Sequence, residues 1–319
     1  MKNIAVLGAR GFIGKNTVYY LENSCKYNVI AVTRDNVDLL NGEAVKEFLE
    51  SKKIDIVVHC ANQGGTRKNQ NGKNEVIGNN LKMFFNIERC INERMKFINF
   101  GSGAQYDKTR DLIKIREEDF EQYIPKDDYG YSKYVMSKFI KIRSDNKSKG
   151  KIYNPIIFGM YGVGEDYTYR FISNAIIKNI LKMPIEINQD VIFDYLYIED
   201  YFRILERIIE EDWEECEFNV TPNDSISLQQ IAEYINEVGI HKSEILIKNK
   251  GMNYQYTGDN SRLLSLLGRN FNFTPYQMAI EKMYKYYYDN RNELNLDAVK
   301  EDALIKYCYT RDSGEKNEK

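Results

Sequence analysis

A glycine-spaced turn near the start of the chain limits its fold more than any other feature of the sequence. Residues 8–14 read GARGFIG and follow a five-residue apolar run, Asn3–Leu7, which is long enough for a buried parallel strand. A helical pattern begins directly after the motif. In this context Gly8 makes a tight turn, Gly11 admits a pyrophosphate close to the backbone, and Gly14 lets the helix pack on the strand. The motif predicts a dinucleotide site at a helix N-terminus, where free N–H groups face an anion; the alternative is an ordinary strand-to-helix turn.

Strands and helices alternate through the first half of the chain. Such alternation predicts βαβ units and a parallel sheet with right-handed crossovers. We therefore expect an α/β fold, a doubly wound parallel sheet (Rossmann fold), over residues 1–160. The predicted strands are 3–7, 28–32, 54–60, 96–100 and 152–158, and the predicted helices are 12–21, 43–49, 81–91 and 131–142.

The alternation changes after residue 160. Residues 161–290 are expected to form a smaller C-terminal substrate domain, and 291–319 a polar C-terminal tail whose end, Ser313–Lys319, is disordered. Within this half, 191–210 is expected to return to the first domain, with a strand at 193–198 joining the main sheet. The other predicted elements are helices at 170–181 and 227–237 and a short strand at 184–187.

The residues after the second predicted strand bear on the choice of cofactor. An NAD site places an acidic residue there for the ribose hydroxyl, whereas an NADP site places a cation there for the 2′-phosphate. Thr33 and Arg34 come before Asp35, and Arg10 of the glycine turn projects toward the same region. The sequence thus favours NADPH; the alternative is that Arg34 is solvated and Asp35 binds the ribose of NAD. The expected cofactor contacts are Gly8, Arg10, Gly11, Phe12, Ile13, Gly14, Thr33, Arg34, Ala61 and Lys133.

Composition disfavours several classes of function. A formal net charge of −2 gives no electrostatic footprint for nucleic acid, and the N-terminal apolar run is too short for a signal peptide or a membrane span. We therefore expect a cytoplasmic protein that binds neither nucleic acid nor membrane. The five cysteines form no CxxC pair, and the only histidines are His59 and His241, so neither a disulfide framework nor a metal site is expected.

A YxxxK pattern supplies the candidate catalytic pair. Tyr129 and Lys133 would lie one turn apart on a helix, where a nearby ammonium lowers the pKa of a phenol from about 10 and suits it to acid–base chemistry. A second register, Tyr134 and Lys138, fits the same pattern. The pattern alone does not decide between them.

The wider context of this pair carries a family resemblance. The sequence YGYSK at the start of a long helix resembles the active-site signature of the extended short-chain dehydrogenases, the sugar-nucleotide epimerase/dehydratase family, as does FGSGAQYD, which places Ser102 four residues before Tyr106. The resemblance, which spans residues 2–288, implies that Ser102, Tyr129 and Lys133 are catalytic. It also implies a dimer through helices 81–91 and 131–142, and we expect Phe84, Phe85, Val135 and Phe139 on that surface.

The first half is similar to the GDP-fucose synthase group of this family, but some of its positions differ. That group carries a Cys and a His for epimerisation. At the position of the Cys this chain has Ala104, and near the position of the His, before ISNAI, it has Arg170 and Phe171. The family's dehydratases carry Asp-Glu directly after the catalytic hydroxyl residue, where this chain has Gly103 and Ala104. The family often places an Arg at position 193, which is Phe193 here, and we expect another cation such as Arg170 to replace it.

These observations predict an oxidoreductase that uses NADPH to reduce a nucleotide-linked 4-keto-6-deoxy sugar, without epimerisation or dehydration. The expected substrate contacts are Ser102, Gly103, Tyr129 and Arg170. One alternative is an NAD-dependent nucleotide-sugar 4-epimerase, which uses the same Ser, Tyr and Lys. The other is a non-catalytic NADP-binding regulator, which the fold alone does not exclude.

Overall fold

A sheet of seven parallel strands is the largest sheet of the structure. The computed structural model describes residues 1–64, 75–144, 150–268, 270–306, 308, 310 and 311, so the predicted disordered end, 313–319, lies outside the described residues. The strands are β1 (Asn3–Leu7), β2 (Asn28–Val32), β3 (Ile56–His59), β4 (Lys96–Asn99), β5 (Gly101–Ser102), β6 (Leu112–Ile115), β7 (Lys151–Ile157), β8 (Gly159–Tyr161), β9 (Ile185–Asp190), β10 (Ile192–Phe193), β11 (Tyr195–Tyr197), β12 (Glu217–Val220), β13 (Ile226–Ser227), β14 (Ile245–Met252) and β15 (Tyr256–Gly258).

The helices follow the predicted pattern closely in the first half. Within the described ranges, no helix is both long enough and apolar enough to cross a membrane. They are α1 (Phe12–Asn23), α2 (Gly42–Ser51), α3 (Val76–Glu88), α4 (Asp128–Ser144), α5 (Phe171–Ile180), α6 (Ile198–Glu210), α7 (Leu228–Val238), α8 (Ser261–Leu267), α9 (Tyr276–Asp289), α10 (Leu296–Lys300) and α11 (Ala303–Lys306).

Helices cover both faces of the main sheet, whose strand order is β2–β1–β3–β4–β7–β12 with β5 beside β7. Alternate residues of β1 enter two different clusters of buried side chains, because successive side chains of a strand point to opposite faces. Ile4 packs with residues of α1 and α6, and Ala5 packs with residues of α2, α3 and α4. The predicted α/β class and doubly wound parallel sheet are therefore confirmed.

The predicted strand 193–198 does not return to the main sheet. The predicted strand is interrupted at Asp194, between β10 and β11. The buried carboxylate of Asp194 accepts hydrogen bonds from Ser225 Oγ at 2.6 Å and from Gly258 N–H at 2.9 Å. β10 then joins a four-stranded sheet of order β13–β10–β15–β6, and β11 pairs with β8. β12, which has four buried residues, is the strand that extends the main sheet beyond β7. Helix α6, which follows β11 in the chain, does pack on the main sheet, where Phe202 of α6 stacks on Tyr20 of α1 with ring centroids 4.6 Å apart.

The segment that begins at residue 291 is not simply a polar tail. It contains α10 and α11, and the side chains of Val299 and Leu304 are buried. Asp302 lies 2.9 Å from Lys178 Nζ on α5, which places a carboxylate against a buried ammonium. The high polar content of the segment concealed these apolar positions and the ion pair that fixes it to α5.

Candidate active site

The glycine turn has the geometry of an anion cradle. Gly8 has a φ of +83°, and a Cβ there would lie 2.6 Å from Ala61 N; a Cβ on Gly14 would collide with the carbonyl oxygen of Gly8. Gly11 is the N-cap of α1, and among the described residues no side chain caps this helix end. The N–H groups of the first turn are therefore available to a pyrophosphate, so this turn fits a dinucleotide cofactor.

The end of β2 lies beside the glycine turn. Arg10 forms an ion pair with Asp35, and Arg34 is exposed next to it. Thr33 N–H donates to Asn36 Oδ1 at 2.6 Å, so Asn36, which sequence reasoning did not select, closes the turn after β2. Two guanidinium groups and one carboxylate thus share the surface where an adenosine ribose would lie.

The candidate catalytic residues meet at the start of α4. Lys133 is almost fully buried, and its Nζ donates to Phe100 O at 2.6 Å and lies 5.7 Å from the ring centroid of Tyr129. Burial lowers the pKa of Lys133 to about 8. Ser102, at the end of β5, accepts a hydrogen bond from Ala104 N–H at 3.3 Å, and its hydroxyl is close enough to Tyr129 to lower the pKa of that phenol.

The electrostatic surroundings of Tyr129 differ from the expectation that Lys133 dominates them. Burial raises the pKa of the Tyr129 phenol, while the Ser102 hydroxyl and the Arg170 guanidinium lower that pKa and the Asp127 carboxylate raises it. Arg170, the exposed N-cap of α5, is therefore close enough to act on the phenol. The structure brings together Ser102, Tyr129, Lys133 and Arg170.

The competing register lies elsewhere on the same helix. Tyr134 hydroxyl donates to Glu121 Oε1 at 3.2 Å, and Lys138 Nζ donates to the same oxygen at 2.5 Å. The Tyr134 ring also stacks on Phe120, with centroids 5.0 Å apart. Tyr134 and Lys138 are thus held by an exposed carboxylate, whereas Tyr129 is the tyrosine of this helix within reach of Ser102.

A buried polar chain fixes the turn that carries Ser102. This turn continues as a 3₁₀ helix, Gly103–Tyr106. Ser137 of α4 donates to Gln105 Oε1 at 2.7 Å, and Asn154 Nδ2 donates to Ser137 Oγ at 2.8 Å. Because Ser137 and Tyr129 belong to one helix, this chain ties the position of the serine turn to that of the tyrosine.

Tyr256 is a member of the site that sequence reasoning missed. The residue is 9% exposed, and burial raises the pKa of its phenol, which Tyr129 raises further and Ser102 lowers. A Cβ on Gly103 would lie 2.7 Å from Tyr256 Oη and 2.7 Å from Phe158 Cδ1. The space that a dehydratase carboxylate would need at position 103 is therefore filled by two aromatic side chains.

Lys114 is a second missed candidate, beside the substrate side of the site. It has a φ of +47°, and its Nζ lies 3.4 Å from Oδ2 of Asp194, the residue that follows Phe193 in the chain. This cation could not be predicted from the sequence, because β6 reaches β10 through the pairing of both strands with β15. Lys114 is thus a cation beside the position where the family often has an Arg, while Arg170 lies near Tyr129.

Two proteins with known activities resemble different lengths of the chain. A GDP-6-deoxy-D-talose 4-dehydrogenase of Aggregatibacter actinomycetemcomitans is 26% identical over 304 residues, which cover 88% of this chain and 97% of the relative. A GDP-L-fucose synthase of Azorhizobium caulinodans is 27% identical over 193 residues, covering 57% of this chain and 60% of the relative.

Solved structures and a family model agree with this fold. A GDP-mannoheptose C4 reductase from Campylobacter jejuni with NADP bound aligns with a TM-score of 0.78 at 18% identity, covering 90% of this chain and 98% of that one. A GDP-L-fucose synthetase from Naegleria fowleri aligns with a TM-score of 0.78 at 19% identity, covering 91% and 94%. The model of the NAD dependent epimerase/dehydratase family matches residues 4–221. Because this match takes in the glycine turn, Ser102, Tyr129 and Lys133, the chain belongs to the NAD dependent epimerase/dehydratase family.

Proposed function

We propose that this protein uses NADPH to reduce the 4-keto carbon of a GDP-linked 4-keto-6-deoxy sugar, without epimerisation or dehydration. The observation that carries the proposal is a site in which the Ser102 hydroxyl lowers the pKa of Tyr129 while positions 103 and 104 carry no ionisable side chain. A relative that aligns over 97% of its own length is named as a 4-dehydrogenase of GDP-6-deoxy-D-talose, and a dehydrogenase and a reductase run one reaction in opposite directions.

The cofactor would bind along the glycine turn. The pyrophosphate would rest on the N-terminus of α1, and Arg10 and Arg34 would hold the 2′-phosphate of NADPH. Lys133, whose ammonium lies beside the Tyr129 ring, would hold the nicotinamide ribose. When bound, NADPH supplies the hydride, and the protein orients and protonates the substrate.

The proton would come from Tyr129. Its phenol donates to the oxygen that develops negative charge, while Ser102 donates a second hydrogen bond to that oxygen. Arg170 lowers the pKa of Tyr129 and so lowers the cost of the phenolate that remains. Arg170 and Lys114 are the cations that would meet the diphosphate of the nucleotide.

Epimerisation at carbons 3 or 5 and dehydration need a second acid–base group, which positions 103 and 104 do not offer. Ala104 is buried, and Tyr256 and Phe158 fill the space beside Gly103. The keto sugar would therefore gain one hydride and one proton and leave with its other carbons unchanged.

The test is turnover of GDP-, UDP- and dTDP-linked 4-keto-6-deoxy hexoses in D₂O, with NADPH or NADH, followed by NMR of the product. We expect NADPH oxidation with the GDP sugar and no deuterium at carbons 3 or 5. Deuterium at carbon 5 would make the protein an epimerase–reductase. Interconversion of 4-epimers with tightly bound NAD, without net oxidation of NADPH, would make it a 4-epimerase.

A further inference from the structure

The pairing of β6 with β15 contains a bulge. The register shifts between residues 256 and 258, so two residues of β6, Ile113 and Lys114, stand opposite the single residue Thr257 of β15. Lys114 has a φ of +47°, a left-handed conformation that is uncommon for a residue other than glycine. A bulge changes the direction in which a side chain points, and a strained backbone persists only where its surroundings hold it. This bulge therefore needs a contact that fixes it.

The hydroxyl of Thr257, which is fully buried, is that contact. Its Oγ1 accepts a hydrogen bond from Lys114 N–H at 2.9 Å and another from Gln255 Nε2 at 3.0 Å, and it donates to Leu112 O at 3.1 Å. A hydroxyl has one proton and two lone pairs, so all three are used. The hydroxyl thus joins the backbone on either side of Ile113, where the bulge interrupts the regular pairing of the strands.

The bulge directs the side chain of Lys114 toward β10. Lys114 Nζ lies 3.5 and 3.4 Å from the two carboxylate oxygens of Asp194, which are long distances for a bond between charged groups. The same carboxylate is bound more closely by Ser225 Oγ at 2.6 Å and by Gly258 N–H at 2.9 Å. An ammonium has three N–H donors, of which two oxygens accept at most two. Lys114 is therefore held beside Asp194 with a donor for a ligand, and its side chain is 42% exposed.

Strand β15 also borders the serine turn. A Cβ on Gly103 of that turn would lie 2.7 Å from Oη of Tyr256, the residue before Thr257. Lys114 is thus an accessible cation on a sheet that touches the catalytic residues. The substrate of the proposed reaction carries a diphosphate, which a charge-assisted hydrogen bond from an ammonium would bind.

We propose that Thr257 is a positioning residue, which acts through Lys114 on the diphosphate of the nucleotide sugar. Its hydroxyl keeps the bulge in place, so the Lys114 ammonium is already directed toward the site when the substrate arrives. Less conformational entropy is then lost on binding than with a freely moving lysine. This role deepens the proposed function and rests on it only for the presence of a diphosphate in the substrate.

The test is a mutant cycle of Lys114→Met, Thr257→Val and the double variant. Binding of GDP, UDP and dTDP to the NADP-saturated protein is measured by isothermal calorimetry, and kcat and KM are measured with the GDP-linked 4-keto sugar and NADPH. Thr257→Ser, which keeps the hydroxyl, is the conservative variant. Thr221→Val is the matched control, because Thr221 is equally buried and its Oγ1 donates to Gly258 O at 3.1 Å on the same strand.

We expect Lys114→Met to weaken binding of the nucleotide diphosphate about 10–100-fold, the scale of one hydrogen bond to a charged group. Thr257→Val should weaken it about three- to tenfold, the cost of ordering one long side chain, and should cost nothing further when Lys114 is already Met. The KM for the sugar should rise while kcat stays nearly unchanged. Thr257→Ser and Thr221→Val should bind the nucleotide as wild type does, although Thr221→Val loses a buried hydrogen bond and some stability.

Either half of this role can be overturned. Wild-type affinity in Thr257→Val, equal losses in Thr257→Val and Thr221→Val, or a full further loss in the Lys114→Met background would exclude Thr257 as a residue that acts through Lys114. Unchanged binding in Lys114→Met, or binding of none of the three nucleotides to wild type, would exclude Lys114 as the diphosphate cation.

Two further outcomes keep the test decisive. If Thr257→Val does not fold, Thr257→Ala takes its place with the same expectations. If wild type binds a nucleotide diphosphate but reduces no GDP-linked sugar, the proposed function fails, and the binding cycle alone decides the role of Thr257.

Discussion

Arg10 and Asp35 form an ion pair between the glycine turn and the end of β2, with side chains 69% and 67% exposed. These two segments border the place where the adenosine ribose of the cofactor is expected. The Arg10 guanidinium, which would bind a 2′-phosphate, is held there by the Asp35 carboxylate. An exposed pair of this kind adds little to stability, because water and salt screen it. Its importance is for the choice of cofactor, since Asp35 competes with the phosphate for Arg10.

The first prediction concerns that choice. Arg10→Ala and Arg34→Ala should each weaken NADPH binding by about 1–3 kcal/mol, the scale of a hydrogen bond to a charged group. The affinity for NADH should hardly change, since NADH lacks the 2′-phosphate. Titration of both cofactors by isothermal calorimetry measures the two affinities directly.

Asp35→Asn is the complementary variant. It frees Arg10 and removes a like charge from the 2′-phosphate, so it should tighten NADPH binding and leave NADH binding unchanged. Wild-type preference for NADH, together with weaker NADH binding by Asp35→Asn, would show instead that Asp35 binds the ribose hydroxyls.

The second prediction concerns the proton donor. Tyr129→Phe keeps the ring but removes the hydroxyl near Ser102, so turnover should fall about 10²–10⁴-fold, the usual contribution of a general acid, with NADPH binding largely retained. Tyr134→Phe breaks only the bond to Glu121 and should be nearly silent. Equal losses in both variants, or a greater loss in Tyr134→Phe, would exclude this assignment.

The glycine turn and the central strands were predictable because their signals are local. Gly8–Gly14 needs only its flanking strand and helix, and β1 and β2 each carry four consecutive apolar residues, 4–7 and 29–32. Tyr256 could not be found in this way. Its strand pairs with Leu112, which is more than a hundred residues away in sequence, and its packing on Phe158 depends on that pairing.

The electrostatics of the site were predictable in part. The YxxxK spacing placed Lys133 near Tyr129, but a spacing carries no information on burial, which lowers the pKa of that lysine to about 8. The influence of Arg170 on Tyr129 depends on how α5 approaches α4 in space. The bonds of Tyr134 and Lys138 to Glu121, which lies in a separate loop, could not be predicted from the spacing either.

The third prediction is a homodimer through α3 and α4. Tyr131, Val135, Phe139 and Ile142 recur at helical spacing on α4 and are at least partly exposed, with Ile142 65% exposed. Phe85 of α3 packs beside them, 5.0 Å from the Phe139 ring. Phe84, which the sequence placed on this surface, is fully buried against the sheet instead.

Light scattering at micromolar concentration measures the mass in solution. Wild type should be a dimer and Ile142→Glu a monomer, because a charge at the centre of an apolar contact opposes its burial. Tyr19→Glu, at a 70% exposed position on α1, is the matched control and should stay a dimer. A monomeric wild type would contradict the prediction.

The fourth prediction concerns Glu165, a buried carboxyl that accepts a hydrogen bond from Ser173 N–H at 3.1 Å. Burial raises its pKa from 4.5 to about 7, so between these values the folded chain binds more protons than the unfolded chain, and stability falls as the pH rises. Glu165→Gln keeps the acceptor and cannot ionise. Its free energy of unfolding in urea should therefore exceed that of wild type at pH 8, by on the order of 1–3 kcal/mol, and the difference should shrink toward pH 4.5.

Asp166→Asn, at the exposed neighbouring position, is the control and should show no such gain. The same difference between Glu165→Gln and wild type at both pH values would mean that Glu165 ionises normally in the folded protein.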